Sequence, residues 1–497
     1  MLSENKKLFT LKELDLISSD VEDIKISGIA VDSQRIRFGD LFVAMQGSSQ
    51  HGADYLSQAI QNGAHAVLTD KKGYKIICET IGVCEIPVVV LPELRLLLSK
   101  LANKFWDKQP EMMVAVTGTN GKTSVANFTR QIWTGLGFSS VSIGTIGVEG
   151  DYSASVQHTT PEPLALHSLL NNLSKKGISH CAMEASSHGL EQYRLDSVKL
   201  KAAAFTNFSH DHLDYHLNFE EYFEAKMSLF ERVLEDNGTA VIYSDDDKSS
   251  EVKRRSEKRG LKTFTVGKDE ENDLIILKIK SDETGQTIRC KFGNSVYQSR
   301  IGLVGSFQTQ NVLLAIGFTI VCGADIGDVF NLLPKLLSVP GRMQLAGVRL
   351  NGAPVFVDYA HTPDALKTAL KSLRPHVMGR LIVVFGAGGD RDKGKREIMG
   401  RIADNYADMT FVTDDNPRSE NPGKIRKAIL MGCKGGIEVG DRAKAILISI
   451  EKLKQGDALL IAGKGHEVTQ IIGDTIFPFN DVEQASMAIE VLENGPV

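Results

Sequence analysis

Met112–Ser124 reads MMVAVTGTNGKTS, an apolar run that meets a glycine-bounded turn ending in Lys122 and Thr123. Strand, turn and helix in that order build a nest for nucleotide phosphates, with backbone N–H groups of the turn and of the helix N-terminus aimed at phosphate oxygens. Lys122 supplies a mobile cation and Thr123 a hydroxyl suited to magnesium, while Gly118 and Gly121 let the backbone approach closely. Only Thr119 and Asn120 stand between Gly118 and the Gly121-Lys122 pair, a shorter spacing than the common P-loop pattern. The following VANFTRQIWTGLG reads as a helix running to a glycine stop. ATP-driven chemistry is the first hypothesis, and a merely structural strand-to-helix turn is its competitor.

At 497 residues the chain is too long for one ordinary core, and length suggests about three domains. A hydrophobic content of 42% with 45 glycines fits an α/β enzyme rich in turns. The net charge of −5, with no basic tail, gives a nucleic-acid partner no support. Cys78, Cys84, Cys181, Cys290, Cys322 and Cys433 form no C-x-x-C pair, which argues against a zinc cluster or a disulfide scaffold. The polar start MLSENKKLFT lacks an apolar signal core, and no stretch reaches the about 18 apolar residues of a membrane span. The expectation is a cytoplasmic protein, a monomer, with no membrane span.

Residues 1–108 read as a small α/β unit, with strands at Ile26–Val31, Asp40–Met45, Ala66–Thr69 and Pro87–Val90 and helices at Tyr55–Asn62 and Leu94–Trp106. Lys108–Glu111 is a polar, proline-bearing linker. In residues 109–341 the runs VAVTG, HCAME, AAAFTNF and TAVIYS are apolar without two-fold alternation, as parallel strands covered on both faces require. Leu164–Ser174 supplies a helix between two of them, alternating strands follow to about Gly302, and VGSFQTQNVLLAIGFTIVCG feeds another helix before the Pro340-Gly341 break. Residues 342–497 start a second parallel sheet with strands at Val355–Tyr359, Leu381–Phe385, Met409–Thr413 and Ala458–Ala462. Its site belongs at the C-terminal ends of those strands. The expected fold is therefore α/β in three domains, with a central P-loop domain and a C-terminal Rossmann-like domain.

Glu184 ends the strand HCAME and is placed to bind or orient magnesium, which prefers oxygen ligands. The loop TNFSHDHLDYH packs His210, His212 and His216 with Asp211 and Asp214; zinc, magnesium and a structural role all stay open for it. Lys226 sits in EEYFEAKMSLF beside the apolar stripe Tyr222, Phe223, Met227 and Phe230, and spacing alone gives it a solvated helix position. In the last domain Asp358, Tyr359, His361 and Pro363 follow one strand, and Asp390, Arg391, Asp392, Lys395 and Arg396 follow another, placed to meet a charged ligand. Three polar loops, FGAGGDRDKGKR, TDDNPRSENP and IAGKGHE, are expected to crowd one end of one sheet. Arg418, after Asn416-Pro417, offers a fork for a carboxylate, while Asp415 or Glu467 suits an ammonium; together they fit a zwitterionic amino-acid end.

The ordered set GTNGKTS, TTPE at 159–162, MEASSHGLEQYR, TNFSHDHLDYH, EAKMSLF, PGRMQ, VDYAHTPDAL, FGAGGDRDKGKR, DDNPRSENP and AGKGHE closely resembles the Mur ligase family, in particular its diaminopimelate-adding branch, over practically the whole chain. The resemblance implies a first domain that holds a UDP-sugar peptide, a centre that binds ATP and Mg2+, and a last domain that delivers an amino acid. It implies substrate contacts at Val31, Ser33, Thr159, Thr160, Ser186, Gln192 and Arg194, and amino-acid contacts at Arg391, Asp415, Asn416, Pro417, Arg418, Gly463 and Glu467. By the same likeness Gly118, Thr119, Asn120, Gly121, Lys122, Thr123 and Ser124, with Asn311, Arg342 and Asp358, contact the nucleotide. Thr123, Glu184, His212 and a carbamylated Lys226 attend the metal, and Lys122, Glu184, His212 and Lys226 are the implied catalytic set. The implied reaction is ATP-dependent joining of meso-diaminopimelate to UDP-N-acetylmuramoyl-L-alanyl-D-glutamate through an acyl phosphate; a lysine-adding relative and a nucleotide-controlled binding protein are the alternatives. Two departures stand out: the usual DSR appears as VDSQRIR, displacing the arginine to Arg35, and a paired-asparagine pattern appears as FQTQN, keeping only Asn311.

Overall fold

The computed structural model describes residues 7–17, 23–47, 49–209, 215–216, 218–282 and 284–494. Strand Met112–Thr117 lies inside a ten-stranded sheet, with His180–Glu184 on one side and Ala202–Phe205 on the other, both parallel to it. Because successive strand residues face opposite ways, Val114 and Val116 join Val125, Phe128, Ile132 and Val312 in one core, while Met113 and Ala115 join Leu166, Leu170 and Phe223 in another. Helices Lys122–Gly135 and Ser306–Val321 therefore cover one face and helix Pro163–Lys175 the other. This two-sided burial is what the uninterrupted apolar strand sequences require.

The sheet is mixed: its centre is parallel, as the buried apolar runs require, and the alternating strands expected up to about Gly302 form an antiparallel edge. Leu274–Asp282, Gly285–Phe292 and Ser295–Ile301 extend one edge as an antiparallel meander, and Gly147–Gly150 turns back along Ser140–Gly144 at the other. Solvent reaches one side of the meander, so its strands alternate, as in KIKSD and RCKF.

The N-terminal unit carries a four-stranded parallel sheet of Gly28–Ala30, Asp40–Ala44, Ala64–Thr69 and Val88–Val90. Leu41, Val43 and Leu68 pack on Leu94, Leu98 and Leu101, and Phe42 and Val67 pack on Leu56 and Ile77. Helix Lys71–Thr80, capped by Asp70 through a 2.8 Å bond from the Gly73 N–H, was not foreseen. Its sequence KKGYKIICET buries little beyond Ile77 and carries a glycine in its first turn, a residue that weakens the helix signal.

The C-terminal sheet has the order Gln344–Val348, Pro354–Asp358, Ala458–Ala462, Leu381–Phe385, Met409–Val412, Ile437–Glu438, parallel except for the first pair. Among the described residues no helix is long and apolar enough to cross a membrane.

Candidate active site

Parallel register sets Glu184 beside Val116, just before the glycine turn. The turn leaves its strand through Gly118 at φ 144° and enters its helix through Gly121 at φ 88°. A Cβ at Gly118 would come 1.9 Å from Thr206 Oγ1, and one at Gly121 would come 2.3 Å from Asn311 Oδ1, so both positions demand glycine on space as well as conformation. Asn207 ties the turn down: its carbonyl accepts from the Thr119 N–H at 2.9 Å and its Oδ1 from the Asn120 N–H at 3.0 Å. Gly121, at the N-cap, has no side chain to satisfy the first-turn N–H groups, so that end of the helix is built to receive an anion.

Two lysines converge on one carbonyl. Lys122 Nζ donates to Gly118 O at 2.9 Å and to Thr119 O at 2.8 Å, and Lys226 Nζ donates to the same Gly118 O at 2.8 Å. Lys226 is 1% exposed and its ammonium lies 4.2 Å from the centre of the Tyr222 ring. The solvated position that spacing assigned to it is wrong. Helix Phe219–Ser228 buries two faces, one against the sheet and one under the phosphate turn, where Tyr222 also donates to Thr119 Oγ1 at 3.2 Å.

Glu184 is buried, with Oε1 accepting from the Thr145 N–H at 2.7 Å and Oε2 from Thr145 Oγ1 at 3.2 Å. Thr145 was not singled out from sequence; nothing in GTIG marks it until the fold sets it against a strand-end acid. Behind Glu184 the expected substrate contacts form one network. Thr159 Oγ1 lies 3.1 Å from Thr145 Oγ1, Thr160 Oγ1 donates to Glu184 O at 2.9 Å, and Ser186 N donates to Thr160 Oγ1 at 3.0 Å. Arg194 Nη1 donates to Thr160 O at 2.8 Å, and Arg194 also holds Gln192 Oε1 at 2.7 Å and Glu162 at 2.6 Å.

A cleft of about 700 Å³ runs from this network to the final domain. Thr119 to Ser124, Thr159, Glu184, Ser186, Arg194, Lys226, Asn311, Arg342 and Asp358 line it, together with Gln310, Tyr359 and His361. Arg342 stacks 4.4 Å over the Tyr359 ring, with Nη2 3.5 Å from Thr123 Oγ1. Asp358 accepts from the Met343 N–H at 2.7 Å and the Ala360 N–H at 2.9 Å; burial pushes its carboxyl up, while Arg342 and those two N–H groups pull it back. Gln308 stands in the departed FQTQN pattern and binds the junction itself, donating to Arg342 O at 3.1 Å.

Residues expected at the substrate's far ends stand apart from this cleft lining. Ser33 Oγ donates to Gln58 Oε1 at 2.7 Å inside the N-terminal unit, Val31 is exposed, and Arg35 reaches Asp32 at 3.5 Å. In the last domain the three polar loops do meet. Asn416 Nδ2 donates to Glu467 Oε2 at 2.9 Å, the buried Lys464 Nζ bridges Asn416 Oδ1 at 3.1 Å and Glu467 Oε2 at 3.0 Å, and Arg418 Nη1 donates to Gly389 O at 2.8 Å. Gly463 allows no Cβ, which would come 2.7 Å from Asp415 Oδ2, and Pro417 O closes over Gly389 in the same way, at 1.9 Å. Lys464 was missed because its partner Asn416 lies far away in sequence. Arg391 is exposed, its Nη1 3.4 Å from Asp390 O. Asp390 and Arg396, expected to face a ligand, are instead bonded to Ser419 and Glu420. Gly341, at φ 66°, packs so tightly on Gly465 and His466 that the inter-domain junction and the GKGHE loop touch.

Magnesium takes oxygen donors and keeps several waters. The Glu184 carboxylate and Thr123 hydroxyl, both at the cleft, fit that demand. Lys226 would fit it only with oxygen in place of its ammonium. His212 lies outside the described residues, and among those described no group of three or more His, Cys, Asp or Glu is spaced to hold a metal.

A phosphate turn facing a second α/β lobe across a cleft defines a nucleotide-binding protein of three lobes. Comparison gives its family. The family models described as Mur ligase family, catalytic domain, Mur ligase middle domain, and Mur ligase, glutamate ligase domain match residues 25–106, 116–319 and 341–465. The UDP-N-acetylmuramoyl-L-alanyl-D-glutamate--2,6-diaminopimelate ligase of Bradyrhizobium diazoefficiens is 45% identical over 489 residues, covering 96% of this chain and 99% of that one. Its namesake in Agrobacterium fabrum is 44% identical over 487 residues, 97% of each chain. A solved structure of a protein with the same name superposes with a TM-score of 0.72 at 31% identity, covering 98% of this chain and 99% of that one. This chain belongs to the Mur ligase family.

Proposed function

We propose that this chain joins meso-2,6-diaminopimelate to UDP-N-acetylmuramoyl-L-alanyl-D-glutamate at the expense of ATP, the reaction of EC 6.3.2.13, in peptidoglycan precursor synthesis. The carrying observation is the convergence of Lys122, Lys226 and Glu184 at the ends of adjacent parallel strands, facing Arg342 across the cleft. The two relatives, matched over nearly their whole length, are named for these substrates. Residues 1–108 serve the UDP end, 109–341 the nucleotide and 342–497 the incoming amino acid. The enzyme works in the cytoplasm as a monomer.

An oxygen of the D-glutamyl carboxylate attacks the γ-phosphorus of ATP, the bond to the β-phosphate oxygen breaks, and an acyl phosphate and ADP result. The neutral amine of diaminopimelate then attacks the acyl carbon, phosphate leaves with the bonding pair, and the amide nitrogen loses its proton. Lys122 and the first-turn N–H groups stabilise charge on the transferring phosphoryl group. Arg342, beside Thr123, adds a cation from the far wall. Thr159, Thr160, Ser186, Gln192 and Arg194 hold the muramyl peptide so that its carboxylate meets the nucleotide. Magnesium, held by Thr123, Glu184, His212 and a carbamylated Lys226, would neutralise phosphate charge. Carbamylation turns the buried ammonium into a carboxylate-like group, the form in which Lys226 suits a cation.

Arg418 clamps the distal carboxylate of diaminopimelate, the group that lysine lacks, while Asp415, Asn416 and Glu467 receive its ammonium end, with Arg391, Pro417 and Gly463 completing the wall. Incubation with ATP, magnesium, the UDP-muramyl dipeptide and either diaminopimelate or lysine, followed by product mass spectrometry, tests the proposal. A diaminopimelate adduct with stoichiometric ADP supports it. A lysine adduct would reassign the substrate, and nucleotide binding without coupled product would replace the enzyme with a binding protein.

A further inference from the structure

Loops 388–391 and 416–420 leave neighbouring strands, Leu381–Phe385 and Met409–Val412, and each holds a non-glycine residue in the left-handed region: Asp390 at φ 54° and Arg418 at φ 50°. Such residues persist only where their surroundings over-determine them. Here the surroundings are a stitched seam. Asp390 accepts from Ser419 Oγ at 2.7 Å and from the Ser419 N–H at 3.1 Å, and the Gly389 N–H donates to Asn416 O at 2.9 Å. At its base the buried Arg396, from helix Lys395–Tyr406, forks onto Glu420 with Nη1 to Oε2 at 3.0 Å and Nη2 to Oε1 at 2.9 Å. Glu420 Oε1 also accepts from the Asp390 N–H at 2.7 Å, and Arg396 Nη2 lies 3.3 Å from Gly388 O. The Arg396 fork holds the Glu420 carboxyl down to about 2.

We propose that the Arg396–Glu420 pair is a positioning device that fixes the guanidinium of Arg418 and thereby sets the preference for an amino acid carrying a second carboxylate. The inference rests on the assignment of Arg418 made under the proposed function. Arg418 Nη1 donates to Gly389 O, the residue between Gly388 and Asp390 that the pair holds in place, so displacing that loop turns the clamp. An ion pair with one partner buried and the other partly exposed is weak evidence for stability, since an apolar substitute is often as stable. What a planar two-bond fork provides is direction, and lysine cannot supply it. Neither Arg396 nor Glu420 needs to touch substrate.

Glu420→Gln and Arg396→Lys, measured in the full chain, read the device. The expected result is a KM for diaminopimelate raised about tenfold, KM for ATP within about twofold, and a diaminopimelate-to-lysine selectivity ratio lowered by a similar factor. Should burial make these variants unfold, Ser419→Ala cuts the same seam from the solvent side and should raise the same KM about two- to threefold. Parental KM and selectivity in the folded variants would overturn the proposal, as would KM values for both substrates rising together, which marks general loosening of the domain. Arg418→Ala separates the layers. If it leaves diaminopimelate use unchanged, the assignment of Arg418 has failed; if it abolishes selectivity while Glu420→Gln and Arg396→Lys keep it, only the positioning device has.

Discussion

The ammonium of Lys226 lies 2.8 Å from the carbonyl oxygen of Gly118, so a helix remote in sequence reaches underneath the phosphate turn. Lys122 binds the same oxygen at 2.9 Å. Two like charges on one carbonyl oxygen repel each other; bound phosphoryl oxygens would offset that repulsion, and the carbamate proposed for Lys226 would replace one of the two positive charges. Lys226→Ala should lower kcat by about 10²–10³-fold with nucleotide binding largely kept. Formate should partly restore the variant's turnover if a carbamate is the working group; restoration by methylamine instead would assign the work to an ammonium.

Gly121→Ala meets Asn311 Oδ1 at 2.3 Å in a left-handed backbone, whereas Gly137, at φ 90°, has nothing within 4 Å of its added Cβ. The first should therefore lose at least about tenfold in ATP affinity and also lose stability. The second should lose only the strain, about 1 kcal/mol, at unchanged ATP affinity. Calorimetric titration with a non-hydrolysable nucleotide, beside melting curves of both variants, separates crowding from strain. Equal nucleotide affinity in the two would contradict the packing described for the turn.

His167 is buried, and burial pushes it down to about 4 even though the carbonyl of Asp196, 3.5 Å away, opposes the shift. The unfolded chain takes up a proton near pH 6.5 that the folded chain refuses until about pH 4, so the unfolded state binds more protons between them. Stability is full above about pH 6.5 and declines as pH falls through that window. Melting temperatures across it should fall, and His167→Gln should flatten the decline. An unchanged slope in the variant would remove His167 from the explanation.

Arg418→Ala should cut kcat/KM for diaminopimelate by about 10–100-fold, the loss expected for charged hydrogen bonds, while KM for ATP stays within about twofold. Initial rates with each substrate varied in turn supply both numbers. Parental efficiency with diaminopimelate would remove Arg418 from recognition.

Legibility in sequence followed how local the physics was. Leu381–Phe385 and Ala458–Ala462 match their expected bounds residue for residue, because strands buried on both faces are uninterrupted apolar runs. Strand Ser140–Gly144 is not among the expected strands: SVSIG interleaves serines with its apolar residues, yet the strand sits between two neighbours with every position buried. The phosphate turn was readable for the same reason as the strands: all its parts are contiguous. Lys226 was not, because its environment is made by a turn more than a hundred residues earlier, and a helical stripe reports only one buried face. Lys464, Thr145 and the Arg396–Glu420 pair share that limit, each defined by partners that only the folded chain brings near.

Transfer of oxygen from the D-glutamyl carboxylate to phosphate tests the central claim most directly. With both carboxylate oxygens replaced by oxygen-18 and with ATP, magnesium and diaminopimelate present, mass spectrometry should find one labelled oxygen in each phosphate released and one left in the new amide. Amide product accompanied by unlabelled phosphate, or made without ADP, would contradict the acyl-phosphate route and with it the roles given to Lys122, Lys226 and Glu184.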